Sequence, residues 1–305
     1  MKHLFITNKN KIALVAMLLF FLATFSNRLH AQDVSGVAFA VKKEGTGKPV
    51  IFIPGLDCSG KVWDNAVLHF KKNFTCYTIT LPGFAGQPPI QFQSDAFLKE
   101  VVRQLSVFIR QNKLIKPVIV GHSLGGWLAL DFAAVYPDLA GDIIVVSSAP
   151  FLPALSMGLD ITVDSARKIG AQIKKGMTNQ SAAQVRTGQK AYMSMMIRDT
   201  DKIALVTEMA VLSDQPTQGE VMYELFSSDI RPLMGSIKSR ILVLGDWSSY
   251  KQYGATRENV YANYKEQFKL AHQVAIAMND DSKHFIMFDE PQWFYSQADS
   301  FLFNK

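Results

Sequence analysis

Apolar positions along the chain follow two rhythms. Short runs without polar alternation recur as PVIFIPG (Pro49–Gly55), FTCYTITLPGFAG (Phe74–Gly86), PVIVGHS (Pro117–Ser123), GDIIVVSSAP (Gly141–Pro150), SRILVLGDW (Ser239–Trp247) and QVAIAMND (Gln273–Asp280). Such runs predict strands buried on both faces. Between them lie stretches at helical spacing. In SDAFLKEVVRQLSVFIRQNK, residues Phe97, Leu98, Val101, Val102, Leu105, Phe108 and Ile109 share one side of a helix, with Ser94 as its expected cap. Leu124–Pro137, Thr256–Leu270 and Pro291–Phe303 predict further helices, and the weakly alternating GVAFAVKK (Gly36–Lys43) predicts an edge strand. Buried strands alternating with helices specify an α/β fold, a mostly parallel sheet with helices on both faces.

The alternation lapses between Phe151 and Ser236, where the pattern is helix after helix. The expected organisation is an α/β core of residues 32–150 and 237–305, interrupted by a helical insertion at 151–236. No internal repeat or low-complexity linker breaks this scheme.

Residues 1–31 follow another logic. Lys2, Lys9 and Lys11 precede the apolar Ile12–Ser26, and LHAQ ends the segment with Ala31 at the expected cleavage position. This is the pattern of a secretory signal peptide. About fifteen apolar residues also fall short of the roughly twenty that span a bilayer. An exported chain is expected, periplasmic or secreted, with no stable membrane span once the signal is removed.

Charge looks different without that segment. Lys2, Lys9, Lys11 and Arg28 account for four of the six net positive charges, since no acid precedes Asp33, and +2 remains. No basic stripe marks a nucleic-acid partner. With 48% apolar and 19% charged residues, the composition is that of a globular chain and excludes a disordered one. Cys58 follows one predicted strand and Cys76 begins its parallel neighbour, which sets them about 15 Å apart at ~3.3 Å per residue. That exceeds disulfide reach, so two free thiols are expected.

The chemistry gathers at Ser123. A serine hydroxyl attacks only when a base takes its proton and donors stabilise the oxyanion. A sharp strand-to-helix turn exposes the hydroxyl and aims the following N–H groups at the reacting oxygen, and it demands small neighbours two residues away. GHSLG meets that demand with Gly121 and Gly125. In this setting the stretch resembles the nucleophile elbow of the α/β-hydrolase superfamily, among its serine-nucleophile members with a helical cap. The resemblance covers nearly all of the chain after residue 31.

That resemblance implies roles for particular residues. Ser123 would be the nucleophile, and the Leu124 and Leu56 N–H groups the oxyanion donors. Leu56 lies in IPGLD, where Pro54 replaces the histidine of many members. The base would be His284, in DDSKHFIMFDEPQWF after the last strand, because His272 precedes that strand at the wrong end of the sheet. His122 is expected to point away from the serine and to pack or hydrogen-bond. The acid departs from the pattern. The family places it after the penultimate strand as Gly, two residues, then Asp, but Ser248 stands there in VLGDWSSY. Asp246, two residues early, is the candidate acid; a structural role in its loop, with the acid supplied from another strand end, is the alternative.

The same resemblance implies an acyl-enzyme reaction on a small-molecule substrate, with no metal and no organic cofactor; no ligand cluster or dinucleotide fingerprint occurs in the sequence. Eight of the twelve methionines lie in the insertion, including Met193, Met195 and Met196 of AYMSMM. Methionines adapt to irregular apolar space. They would line a pocket for acyl or aromatic groups, or fill core positions between helices. The expected substrates are small or medium apolar carboxylic esters. Amide, lactone or carbon–carbon bond hydrolysis is the alternative. A binding protein on a hydrolase scaffold is another, and its mark would be a missing Ser123–His284 hydrogen bond. Oligomeric state is left open.

Overall fold

Strands β1 (Ala40–Glu44), β2 (Lys48–Ile53), β3 (Phe74–Thr80), β4 (Val118–His122), β5 (Ile143–Val146), β6 (Ile241–Asp246) and β7 (Val274–Asn279) form one sheet in the order β1-β3-β2-β4-β5-β6-β7. The computed structural model describes residues 36–92 and 96–303. The expected signal segment, residues 1–31, and the expected cap Ser94 lie outside the described residues. Every pairing is parallel except β1 with β3, so the weakly alternating segment is indeed an edge strand.

The unalternating runs have a direct cause. Successive strand residues point to opposite faces, and both faces are covered. Ile51, Ile53, Ile119, Ile143, Val145, Ile241 and Val243 pack beneath α2 (Phe97–Gln111), α3 (Leu124–Val135) and α9 (Arg257–Gln267). Val50, Phe52, Val118, Val120, Ile144, Val146, Leu242 and Leu244 face α1 (Asp64–Phe70) and α11 (Pro291–Phe303). Each fully buried aliphatic side chain contributes about 1.5–3 kcal/mol.

Between β5 and β6 the chain forms α4 (Pro153–Met157), α5 (Val163–Met177), α6 (Ala182–Met196), α7 (Thr200–Val211) and α8 (Gln215–Ser227). No strand occurs among these residues, as the pattern predicts. Thr162, Ser181, Asp199 and Asp214 each cap the following helix by accepting a backbone N–H. Met193, Met196 and Met209 are buried in one cluster with Phe285, Ile286 and Met287, so these three occupy core positions. The α2 N-terminus is satisfied from a distance: the Phe97 and Leu98 N–H groups donate to Glu224 Oε1 and Oε2 of α8, both at 2.8 Å.

Cys58 and Cys76 are buried and unpaired, as their placement at opposite ends of parallel strands requires. No helix among the described residues is long and apolar enough to cross a membrane. What positions the site is the order of β3, β2 and β4. The chain leaves β2 toward β3 on one side and reaches β4 on the other, which makes the carboxyl ends of β2 and β4 the switch point at which sheets of this kind bind their ligands.

Candidate active site

Ser123 follows β4 directly and opens α3 with φ 52° and ψ −118°. A non-glycine residue in the left-handed region costs about 1–3 kcal/mol and persists only where its surroundings enforce it. Here they do. The Ser123 N–H donates to Val146 O at 3.0 Å, and its carbonyl accepts from the Gly126 and Trp127 N–H groups. A β-carbon at Gly121 would lie 2.1 Å from Gly125 O, and one at Gly125 would lie 2.2 Å from Ile53 O. Glycine at both positions is therefore a steric necessity, created by the close approach of β2, β4 and α3.

The β2 loop rests against the elbow. A β-carbon on Gly55 would sit 3.3 Å from Ser123 Cβ and 3.0 Å from His122 Nδ1. Leu56 follows within a turn closed by Cys58 N–H donating to Gly55 O. Leu124 is the first residue of α3. Among the described residues, neither the Leu56 nor the Leu124 N–H donates to a protein acceptor.

His284 lies in the loop between β7 and the short helix α10 (Ile286–Asp289). Its Nδ1 is 3.9 Å from Oδ1 of Asp246, whose side chain is fully buried at the end of β6. Asp246 stands two residues before the position at which the family carries its acid, and the structure brings it beside His284 all the same. Neither Asp246 oxygen nor His284 Nδ1 has a hydrogen-bond partner among the described residues. No hydrogen bond joins Ser123 to His284 there either. Burial lowers the His284 pKa below the ordinary histidine value, with the Asp246 charge opposing it, so the ring is neutral at pH 7.

Ser248 stands where the acid was expected and does something else. Its hydroxyl donates to Ser282 O and ties the β6 loop to the histidine loop. His272 is exposed, with Nε2 donating to Gly235 O, and is not brought to the site. His122 packs with its ring 4.8 Å from that of His284 and 4.4 Å from that of Phe285. Its partner was not foreseen: Nε2 lies 3.1 Å from the His284 carbonyl. A carbonyl only accepts, so Nε2 carries the proton. Burial first, then the repulsion that a protonated His284 would exert, hold His122 well below the usual range and hence neutral.

Asp57 was also missed. It follows Leu56 with φ 63°, is 4% exposed, and has Oδ1 without a partner among the described residues. Burial raises its carboxyl from 3.8 to about 7, and a hydrogen bond from Gln218 of α8 opposes that rise. Nothing in a five-residue loop motif signals a contact with a helix that far along the chain.

The arrangement of fold and elbow agrees with the comparisons. The sequence profile of the alpha/beta hydrolase family matches residues 50–297, and the chain belongs to that family. It is 20% identical over 145 residues to 2-(acetamidomethylene)succinate hydrolase of Mesorhizobium japonicum, a match covering 47% of this chain and 51% of that one. It is 27% identical over 114 residues to pimeloyl-[acyl-carrier protein] methyl ester esterase of Aeromonas salmonicida, covering 37% of this chain and 43% of that one. The chain thus spans about half or less of the length of these curated relatives. Among solved structures, MenH from S. aureus superposes with a TM-score of 0.71 at 15% identity, over 87% of this chain and 98% of that chain. An esterase from Exiguobacterium antarcticum gives 0.70 at 14% identity, over 86% and 94%. These likenesses establish the fold.

Proposed function

We propose that the protein is a serine hydrolase that cleaves small or medium apolar carboxylic esters through an acyl-enzyme. The observation that carries this reading is the enforced left-handed Ser123 at the β4–α3 junction, with two N–H groups, at Leu56 and Leu124, that are uncommitted among the described residues. In this reading His284 takes the Ser123 proton as Oγ attacks the ester carbonyl, and the two N–H groups hold the resulting oxyanion. Collapse expels the alcohol, which receives that proton from His284. A water molecule, activated by the same imidazole, then attacks the acyl group and releases the acid and free Ser123. Asp246 orients His284 and stabilises its charged form. The helical insertion serves as the cap that selects the substrate. Relatives named as an ester esterase and a succinate hydrolase support hydrolysis. An enol-lactonase among the structural neighbours keeps lactones as an alternative substrate class. Residues 1–31 direct export in this proposal, and fractionation of the producing cells tests it.

One observation favours a second reading. The absent Ser123–His284 hydrogen bond suits a ligand-binding protein on a hydrolase scaffold, although catalytic hydrogen bonds commonly tighten only when substrate arrives. Labelling of purified protein with a fluorophosphonate separates the two. An adduct on the wild type and none on Ser123→Ala supports the hydrolase, and an ester panel then gives the chain-length preference. No adduct on folded protein supports the binding reading.

A further inference from the structure

The loop that carries His284 is held from two sides. On the core side, Asn279 Oδ1 accepts from the Asp281 and Ser282 N–H groups at 2.9 and 2.6 Å, and His122 Nε2 donates to the His284 carbonyl. On the other side the contacts come from the helical insertion, at the elbow that joins α6 to α7. Phe285 N–H donates to Met196 O at 3.2 Å, and Lys283 Nζ donates to Ser194 O at 2.6 Å. The two residues that flank His284 are therefore bonded to the insertion.

One carboxylate reaches both partners. Asp289 ends α10, five residues after the histidine, with a fully buried side chain. Its Oδ2 accepts from the Lys283 N–H at 2.9 Å, and its Oδ1 accepts from the Arg198 N–H of the elbow at 3.0 Å. Arg198 Nη2 closes the link by donating to Asp289 O at 2.6 Å and to Glu290 Oε1 at 2.5 Å. Hydrogen bonds to a buried charged acceptor are the strong kind, and removing the acceptor strands two donors. The charged groups facing Asp289 are Arg198, Lys283 and Glu290.

We propose that Asp289 is a positioning residue that joins the α6–α7 elbow to the histidine loop, so that His284 is held for proton transfer only while the elbow is docked. The proposal rests on the serine-hydrolase reading for its catalytic consequence, and on the bonds above for the coupling. It also divides the insertion: the elbow moves with the catalytic histidine, and any opening toward substrate occurs elsewhere along α5, α7 or α8.

The test compares wild type, Asp289→Asn and Arg198→Ala across pH 5–9, with ester turnover, fluorophosphonate labelling rate and thermal melting. Asn keeps the shape but replaces one acceptor oxygen with a donor, and Arg198→Ala leaves Asp289 intact while removing the guanidinium links. The expected result is a kcat about tenfold or more lower in Asp289→Asn with KM little changed, because small misplacements of a catalytic group are costly. The acid limb of kcat/KM should move up in pH as His284 gains solvent, and Arg198→Ala should shift it the same way by less. A lower melting temperature with unchanged kcat and unchanged acid limb overturns the proposal. If wild type neither turns over esters nor labels, the hydrolase reading fails alone. The coupling is then read by hydrogen exchange: faster exchange at both Phe285 and Arg198 in Asp289→Asn upholds it, and unchanged exchange at both overturns it.

Discussion

His284 Nδ1 lies 3.9 Å from Asp246 Oδ1, and nothing else among the described residues bonds to either atom. Two opposing influences meet in that pair. Burial favours the neutral imidazole, and the Asp246 charge favours the protonated one, with burial prevailing. As the proposed general base His284 must be neutral, so on that reading activity should be flat above the ordinary histidine value of 6.5 and persist somewhat below it. Asp246→Asn removes the influence that raises the pKa. If Asp246 serves as the triad acid, the plateau should drop by up to about 10⁴-fold while the acid limb moves to lower pH. A pH–rate profile of both proteins checks this. A variant with unchanged turnover would give Asp246 only a structural role in its loop.

The elbow makes a steric prediction that does not depend on substrate. A methyl group at Gly125 meets the Ile53 carbonyl at 2.2 Å, a backbone atom that cannot rotate away. Gly125→Ala should therefore lower stability by about 3 kcal/mol and abolish labelling of Ser123. Gly176 has no atom within 4 Å of its β-carbon position and sits in an exposed part of α5. Gly176→Ala should be neutral or stabilising by up to ~1 kcal/mol, since alanine is the better helix former. Urea denaturation of the two variants measures the contrast.

What the sequence made legible follows from range. Strands such as Ile143–Val146 announce themselves because all four residues are buried, one pair on each face. The elbow is readable because its constraint acts over five consecutive residues. The short helix Asp64–Phe70 went unrecognised, since seven residues barely make two turns of pattern. Asp246 beside His284, His122 beneath the His284 carbonyl, and Asp57 against Gln218 depend on strands and helices meeting in space. The methionines of AYMSMM were ambiguous because core and pocket both want apolar side chains, and packing against Phe285 and Met287 decides for core at Met193 and Met196.

The link between Glu224 and α2 shows the same long range and can be tested for stability. Helix N-termini leave N–H groups without intrahelical partners. Here the carboxylate of Glu224, 126 residues beyond Leu98, supplies two acceptors to the first turn. Negative charge at that end also suits the helix dipole. Glu224→Ala should cost roughly 2–3 kcal/mol because it strands buried donors. Glu224→Gln, which keeps one acceptor oxygen, should cost less. Equal losses in the two variants, measured by urea denaturation, would show that side-chain volume rather than the bonds matters.

Asp57 should make stability depend on pH in the sense opposite to most carboxylates. Its folded-state pKa, about 7, lies above the ordinary 3.8 because burial penalises the charge. Below pH 3.8 both folded and unfolded chains hold the proton, and the residue exacts no penalty. Between about 4 and 7 only the folded chain holds it, so stability falls as pH rises, by at most about 1.4 kcal/mol per pH unit. Above 7 both states are ionised and the loss is complete. Asp57→Asn removes the titration, keeps an oxygen and an amide for Gln218, and suits the left-handed backbone at φ 63°. The variant should therefore gain on wild type between pH 5 and pH 8, with the difference levelling off above 7. Comparing the two proteins at each pH cancels every other titrating group, and urea midpoints at pH 5 and 8 are enough. A constant difference would mean that the carboxyl does not titrate in that window, and that water or a rearranged Gln218 satisfies its charge in the folded chain.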